Sequence, residues 1–375
     1  MPYQDALARV IEEVVAPGAA EVDAGALFPR RQISALADAG LLGLTVPSEL
    51  GGGGAGLRAA AEVVRELGAV CGSTAMVVTM HYAATAALVA GEMKEALDAI
   101  AAGRHLSTLA FSETGSRSHF WAPLSSATAD GDDVALDASK SWVTSAGEAD
   151  SYVWSSRPVQ AEGPMTLWLV PGSAAGLTVA GPFDGLGLRG NASSPVTADG
   201  VRVPRGAMIG ADGAGLDLAL AAVLPAFLIC SASMSAGLMR RLAEETAAHL
   251  QRTRLEHLGQ SLAQQVQPRA QLARLRIEAD QARGLIEDTL SAVEQGRADA
   301  QLQVLEVKAA AGEAAADAAD LALRACGGAA FRRESVVERL FRDSRAARVM
   351  APTTDALHDF IGRALCGLPL LGDVS

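Results

Sequence analysis

Two short stretches of this chain carry side chains that could hold a flat molecule with polar edges. In LAFSETGSRSHFWAP (residues 109–123) an apolar run ends in a serine- and glycine-rich loop. Hydroxyls and free backbone N–H groups in such a loop suit a phosphate or a ring carbonyl. In KSWVTSAGEAD (residues 140–150) a regular strand would put Trp142 and Thr144, two residues apart, on one face. The indole could stack on a planar ring and the hydroxyl could hydrogen-bond its edge. Either stretch alone is as well read as an ordinary turn or a half-buried strand; the pair is the informative feature. A third stretch, GLGLRGNASSPVTADGVRVPRGAMIG (residues 185–210), is a glycine turn entering a strand that ends in Val-Pro, and its Arg189 reads as a structural anchor. Cys71, Cys230, Cys326 and Cys366 are scattered, with no CxxC pair and no metal-ligand spacing.

The elements that must position these groups follow from changes of pattern along the chain. Residues 1–105 are rich in alanine and leucine at helical spacing. Ile33, Leu36, Leu41 and Leu44 make an apolar stripe interrupted at Gly40. Four consecutive glycines in VPSELGGGGAGL cannot hold a helix, and STAMVVTMHYAATAALVAG reads as a buried one. From 106 to 212 the pattern alternates, Asp-Gly pairs at 130–131 and 199–200 suit tight hairpins, and all four tryptophans (Trp121, Trp142, Trp154, Trp168) fall here. From 213 to 375 long helical runs return, broken near Gly296 and Gly327. The expectation is an α+β, mostly α fold: an N-terminal helical domain (1–105), a small β-barrel or sandwich (106–212) and a C-terminal four-helix bundle (213–375).

Composition narrows the function. A chain of 375 residues can bury a large core. With 31 basic against 43 acidic residues, a net charge of −12 argues against a nucleic-acid partner. Leu218–Met239 runs uncharged for about a membrane thickness at helical rise. It is read as a bundle helix apolar on all sides, so no membrane partner is expected. Scattered cysteines and the lack of a charged n-region before an apolar h-region point to the cytoplasm.

Residues 324–363 supply the remaining signal: two glycines, a short charged helix, the pair Arg342-Asp343, a small-residue break and a last helix. That order, together with the two opening stretches and their spacing, resembles the acyl-CoA dehydrogenase superfamily of flavoproteins over nearly the whole chain. The resemblance implies FAD. The first stretch is similar to the family's flavin loop, Thr-Glu-Pro-x-x-Gly-Ser. That match sets Leu109, Phe111 and Ser112 at the flavin, the latter two facing the isoalloxazine edge, and Ser118 on the pyrophosphate. Thr114 replaces the usual proline and Arg117 a glycine, and the bulky run His119-Phe120-Trp121 follows where the family's acyl channel is bordered. The second stretch resembles Trp-Ile-Thr-Asn, implying Trp142 on the ring and Thr144 at flavin N5.

TRLEHLGQSL (residues 253–262) stands where the family has Arg-x-Gln-Phe-Gly, which serves the FAD of a neighbouring subunit. Leu255 takes the arginine's place, leaving Arg254 one residue away, which on a helix is a turn of about 100°. Gly327-Gly328 resembles the family's glycine loop that approaches the partner's FAD through bare backbone. Arg324 replaces its glutamine, a residue suited to a pyrophosphate, and Ala330 its third glycine. Thr353 and Asp355 match positions at the adenosine end of FAD. A flavin shared between subunits implies a homo-oligomer, a dimer or tetramer. The resemblance also implies acyl-CoA or another acyl molecule as substrate, and an electron-transfer flavoprotein or a flavin reductase as redox partner.

The departure lies at the base. In the family a Tyr-Glu-Gly-Thr turn supplies the glutamate that removes a substrate α-proton; here the turn reads Met350-Ala351-Pro352-Thr353. Some members carry the glutamate on the long helix that opens the bundle, and the matching position is Phe227. Three readings stay open at this point. One is an FAD oxidoreductase of acyl thioesters with a relocated base, for which Glu113, His81, Asp355 and His358 are candidates. Another is a monooxygenase or oxidase using reduced flavin and oxygen, which needs no such base. The third is a non-catalytic descendant that binds flavin or a partner.

Overall fold

Helical and extended segments alternate along the chain as its periodicity dictates, in a computed structural model describing residues 2–116 and 119–371. Among the N-terminal helices, Arg30–Asp38 buries Ile33 and Leu36 and gives way at Gly40, whose φ of 73° suits a residue without Cβ. Helix Gly72–Ala90 is buried over most of its surface. It and the helical run Gly215–Arg252 are long and apolar enough to cross a membrane, yet both are largely covered by the fold.

The middle of the chain builds two four-stranded sheets from β1 (Ser107–Ala110), β2 (Ser126–Asp130), β3 (Asp133–Val143), β4 (Ser151–Ser156), β5 (Thr166–Pro171), β6 (Leu177–Val179), β7 (Ser194–Pro204) and β8 (Met208–Ile209). One sheet runs β1-β4-β5-β8 and the other β2-β3-β7-β6, antiparallel except for β1 on β4. Both contribute to one apolar core that includes Val134, Leu136, Tyr152, Trp154, Trp168, Val196 and Val203. Trp154 and Trp168 face each other across β4 and β5 and are wholly buried.

The first Asp-Gly pair turns the β2–β3 hairpin as expected, with Asp130 opposite Asp133. The second does not turn the chain. Residues 199–200 lie inside β7, and the register against β3 shifts there, so they form a bulge. Gly200, at φ 57°, has its N–H held by Asp137 Oδ1 at 2.8 Å, which stabilises the bulge.

The chain groups into two compact units, one of residues up to 63, 76–184 and 189–227, the other of 64–75, 185–188 and 228 onward. In the second unit the helices Val266–Gln295 and Ala300–Cys326 are joined by Val336–Ser344 and Thr354–Leu365. Buried Asp343 accepts the Leu188 N–H at 2.7 Å, and Arg342 donates to the Leu186 carbonyl at 3.2 Å, so the Arg-Asp pair ties down the 185–188 strip. Gly237 shows how closely the backbones approach: a Cβ there would stand 1.9 Å from the Arg65 carbonyl oxygen. Gly237→Ala is therefore expected to destabilise by about 1–3 kcal/mol. The reading is a lower urea midpoint at unchanged slope.

Candidate active site

The first unit gathers the loop and strand residues. Beyond β1 the chain continues alongside β3: the Ser141 N–H donates to the Ser112 carbonyl at 2.9 Å and the Thr114 N–H to the Ser139 carbonyl at 3.0 Å. Phe111 and Ser112, both half-buried, thereby lie next to the Lys140–Trp142 segment, and Leu109 is buried in β1. Phe120 and Trp121 are buried edge to face, their ring centres 5.3 Å apart. Ser118 lies outside the described residues.

Trp142 and Thr144 do not share a strand face, which corrects the reading from simple alternation. The register slips between Lys140 and Val143, Trp142 takes φ 56°, and β3 ends at Val143. The indole is consequently 70% exposed, set edge-on to Phe183 at 6.5 Å. Thr144 is buried, with its hydroxyl 3.0 Å from that of Ser193. Positive φ at a tryptophan is uncommon and occurs where surrounding structure imposes it, so the exposure of this ring is a built feature. One turn on, Ser145 Oγ is buried without a partner.

Glu113 is the clasp of the loop. It is buried against Lys140 Nζ at 2.6 Å, accepts the N–H groups of Leu124 and Ser125 at 2.5 and 3.1 Å, and accepts the Ser125 hydroxyl. Burial would raise its carboxyl, but the Lys140 charge and these bonds outweigh it and hold the group below its ordinary value. Lys140 is wholly buried and also donates to the Ser155 carbonyl at 2.7 Å; burial pulls it down to about 8, against the pull of Glu113. A carboxylate so committed joins the two ends of residues 113–125 and does not serve as the relocated base.

His81 is corrected as a base in the same way. It is wholly buried, its Nε2 lies 3.0 Å from the Leu42 carbonyl, and its Nδ1 accepts the Ser107 N–H at 3.2 Å. Burial pushes it down to about 4. A neutral ring with both nitrogens used by backbone has no lone pair to offer a substrate.

In the second unit Ala351 is half-buried on the turn before the last helix. Thr353 caps that helix, accepting the Ala356 N–H at 3.3 Å, and Asp355 and His358 are exposed on its first turns. Beneath the turn sits Lys308, which sequence reasoning passed over. It is buried, and its Nζ donates to the carbonyls of Ala347, Met350 and Pro352 at 3.1, 3.1 and 2.8 Å. The available signal was scarcity: only three of the 31 basic residues are lysines.

Gly327 and Gly328 follow the end of helix Ala300–Cys326, exposed, with nothing within 4 Å of where a Cβ would be. Arg324 is exposed beside them. Gly327 caps the far end of the helix, nineteen steps on from Lys308 and so roughly 28 Å away, so the glycine loop and the Ala351 turn are not brought together within one chain. Arg254 is corrected in its setting: helix Leu224–Arg252 has already ended, and residues 254–261 form a small hairpin in which Arg254 donates to the Gly259 carbonyl at 3.0 Å. In an extended segment a one-residue offset moves a side chain to the opposite side, so rotation about a helix axis is not the relevant displacement.

A helical domain, a β module and a second helical domain, in that order, define the acyl-CoA dehydrogenase fold. The N-terminal, middle and C-terminal domains of acyl-CoA dehydrogenase match residues 2–98, 108–201 and 213–366. The chain belongs to the acyl-CoA dehydrogenase family, whose members are flavoproteins. It is 28% identical over 352 residues to the human mitochondrial short-chain specific acyl-CoA dehydrogenase, covering 92% of this chain and 84% of that one. Butyryl-CoA dehydrogenase from Megasphaera elsdenii superposes with a TM-score of 0.90 at 20% identity, over 97% and 98% of the two chains. FkbI, for biosynthesis of the methoxymalonyl extender unit of a polyketide, superposes at 0.86 with 26% identity, over 97% and 99%.

Proposed function

We propose that the chain is an FAD-dependent oxidoreductase of acyl thioesters or related acyl groups, working as a cytoplasmic homo-oligomer. The observation that carries this reading is the exposed Trp142, held outward by a strained backbone beside the loop at Phe111–Ser112. The residues present fit the cofactor. An indole offers a stacking surface, the unpartnered Ser145 hydroxyl a hydrogen bond, and the open Gly327-Gly328 backbone room for a phosphate-bearing group. FAD would supply the two-electron acceptor. The chain's own residues would orient it: Trp142 by stacking, Phe111 and Ser112 along its edge, Arg324 and Arg254 as charge for its phosphates. The distance between the Ala351 turn and the glycine loop supports a site completed by a second copy, a dimer or tetramer. FkbI's association with a methoxymalonyl unit widens the acyl groups worth testing beyond fatty ones. The electron acceptor proposed is an electron-transfer flavoprotein.

One observation favours a second reading, the oxygen-using one: Ala351 has no proton acceptor, and Glu113 and His81 are committed elsewhere. Anaerobic titration of the FAD-loaded protein with a panel of acyl thioesters separates the two. Bleaching supports dehydrogenation. No bleaching, with a hydroxylated product formed under a flavin reductase, NADH and oxygen, supports the second. A protein that takes up no FAD removes both.

Trp142→Ala tests the platform itself. An exposed side chain contributes little to folding, so stability is expected to change by no more than about 0.5 kcal/mol. FAD retention through gel filtration is expected to fall, and flavin fluorescence to rise as the stacked indole is lost.

A further inference from the structure

Lys94, Lys140 and Lys308 are the chain's three lysines, arginine serving every other cationic position. Lys94 is exposed, whereas Lys140 and Lys308 are wholly buried. Lys140 has Glu113 as counter-charge. Among the described residues, the polar contacts of Lys308 are three carbonyls, those of Ala347, Met350 and Pro352. An ammonium has three N–H bonds to give and here meets three acceptors. A neutral amine would turn a lone pair toward one of those oxygens, so the arrangement belongs to the charged form even though burial draws the group down to about 7. A guanidinium could not replace it, being planar and carrying five donors.

Burying a cation among carbonyl dipoles alone is unfavourable unless every donor is satisfied. Among the described residues the compensation comes from one short segment, 347–352. Two of the acceptors, Met350 and Pro352, are the immediate neighbours of Ala351, so both ends of that residue are tethered to helix Ala300–Cys326.

We propose that Lys308 is a positioning residue, a cationic pin that fixes the 347–352 turn and sets the direction in which the side chain at position 351 points. The proposal rests on the reading that position 351 lies at the reacting end of the substrate. It places no proton transfer on Lys308, whose three hydrogens are all engaged.

Hydrogen–deuterium exchange of the full-length protein tests it. In Lys308→Met the backbone amides of residues 346–351 and 353 are expected to exchange about tenfold or more faster than in the parent, with peptides of the β module unchanged. Unchanged exchange in the turn overturns the proposal. Because the variant can fail to fold, the parent protein labelled with 15N-lysine gives an independent reading from only three side-chain signals. The Lys308 ammonium is expected to exchange with solvent far more slowly than that of Lys94, and to shift on Ala351→Glu while the Lys140 signal stays in place. A Lys308 signal that exchanges like Lys94, or is indifferent to Ala351→Glu, overturns the proposal. None of these readouts needs turnover. An enzyme inert toward acyl thioesters with a pinned turn therefore refutes the acyl reading and leaves the pin, and an active enzyme with a loose turn does the reverse.

Discussion

Ala351→Glu is expected to raise the rate of acyl thioester oxidation by about 10²–10⁴-fold, the usual worth of a positioned general base. That is about 3–5 kcal/mol of barrier. Position 351 is half-buried on a turn whose two flanking carbonyls are held by Lys308, so an added carboxylate would be directed by a backbone already fixed. The nearby ammonium would also favour its charged form, the form that accepts a proton. The measurement is single-turnover flavin bleaching by a short-chain acyl thioester, parent against variant, at equal flavin content. No gain at full flavin occupancy would show that the substrate does not bring its α-carbon to this turn.

Lys140→Met is expected to cost about 3–5 kcal/mol of stability, because it leaves the Glu113 carboxylate buried without its cation. Urea unfolding followed by tryptophan fluorescence reads it directly, since Trp154 lies 5.2 Å from the Lys140 ammonium. Changing both partners together, Glu113→Leu with Lys140→Met, is expected to recover much of the loss, as apolar replacement of a whole buried pair is often tolerated. The pH dependence has a definite sign. The folded carboxyl of Glu113 sits below its ordinary value of 4.5, so its contribution is present above that pH and is lost as pH falls through the folded value. Acid sensitivity arising from this group is expected to vanish in Glu113→Gln.

The fold was legible because its signals are periodic and local. Ile33 and Leu36 at helical spacing, the break at Gly40, and tryptophans crowded into one alternating stretch each state their element directly. The site was legible only as residue types. Trp142 and Thr144 could be picked out, but a register slip and a positive φ turned one outward and left the other buried, and neither follows from alternation. The Asp-Gly pair at 199–200 failed for a related reason: the same dipeptide serves a hairpin or a bulge, and only the partner strand decides. His81 looked like a base because sequence shows the imidazole and not the two backbone groups that consume it. Lys308 was missed because an apolar, alanine-rich helix gives no hint that a carbonyl-lined turn lies over one of its positions.

The rarity of lysine has a chemical consequence for any chain that handles activated acyl groups. Thioesters acylate neutral amines spontaneously, whereas a guanidinium, protonated at all accessible pH, does not attack them. Of the three ε-amino groups, two are sealed inside and engaged, and Lys94 alone meets solvent. The exposed cations are otherwise arginines, so Lys94 is the one lysine at which a reactive acyl group could become lodged as a lasting amide, whereas the exposed Cys366 thiol would exchange an acyl group reversibly.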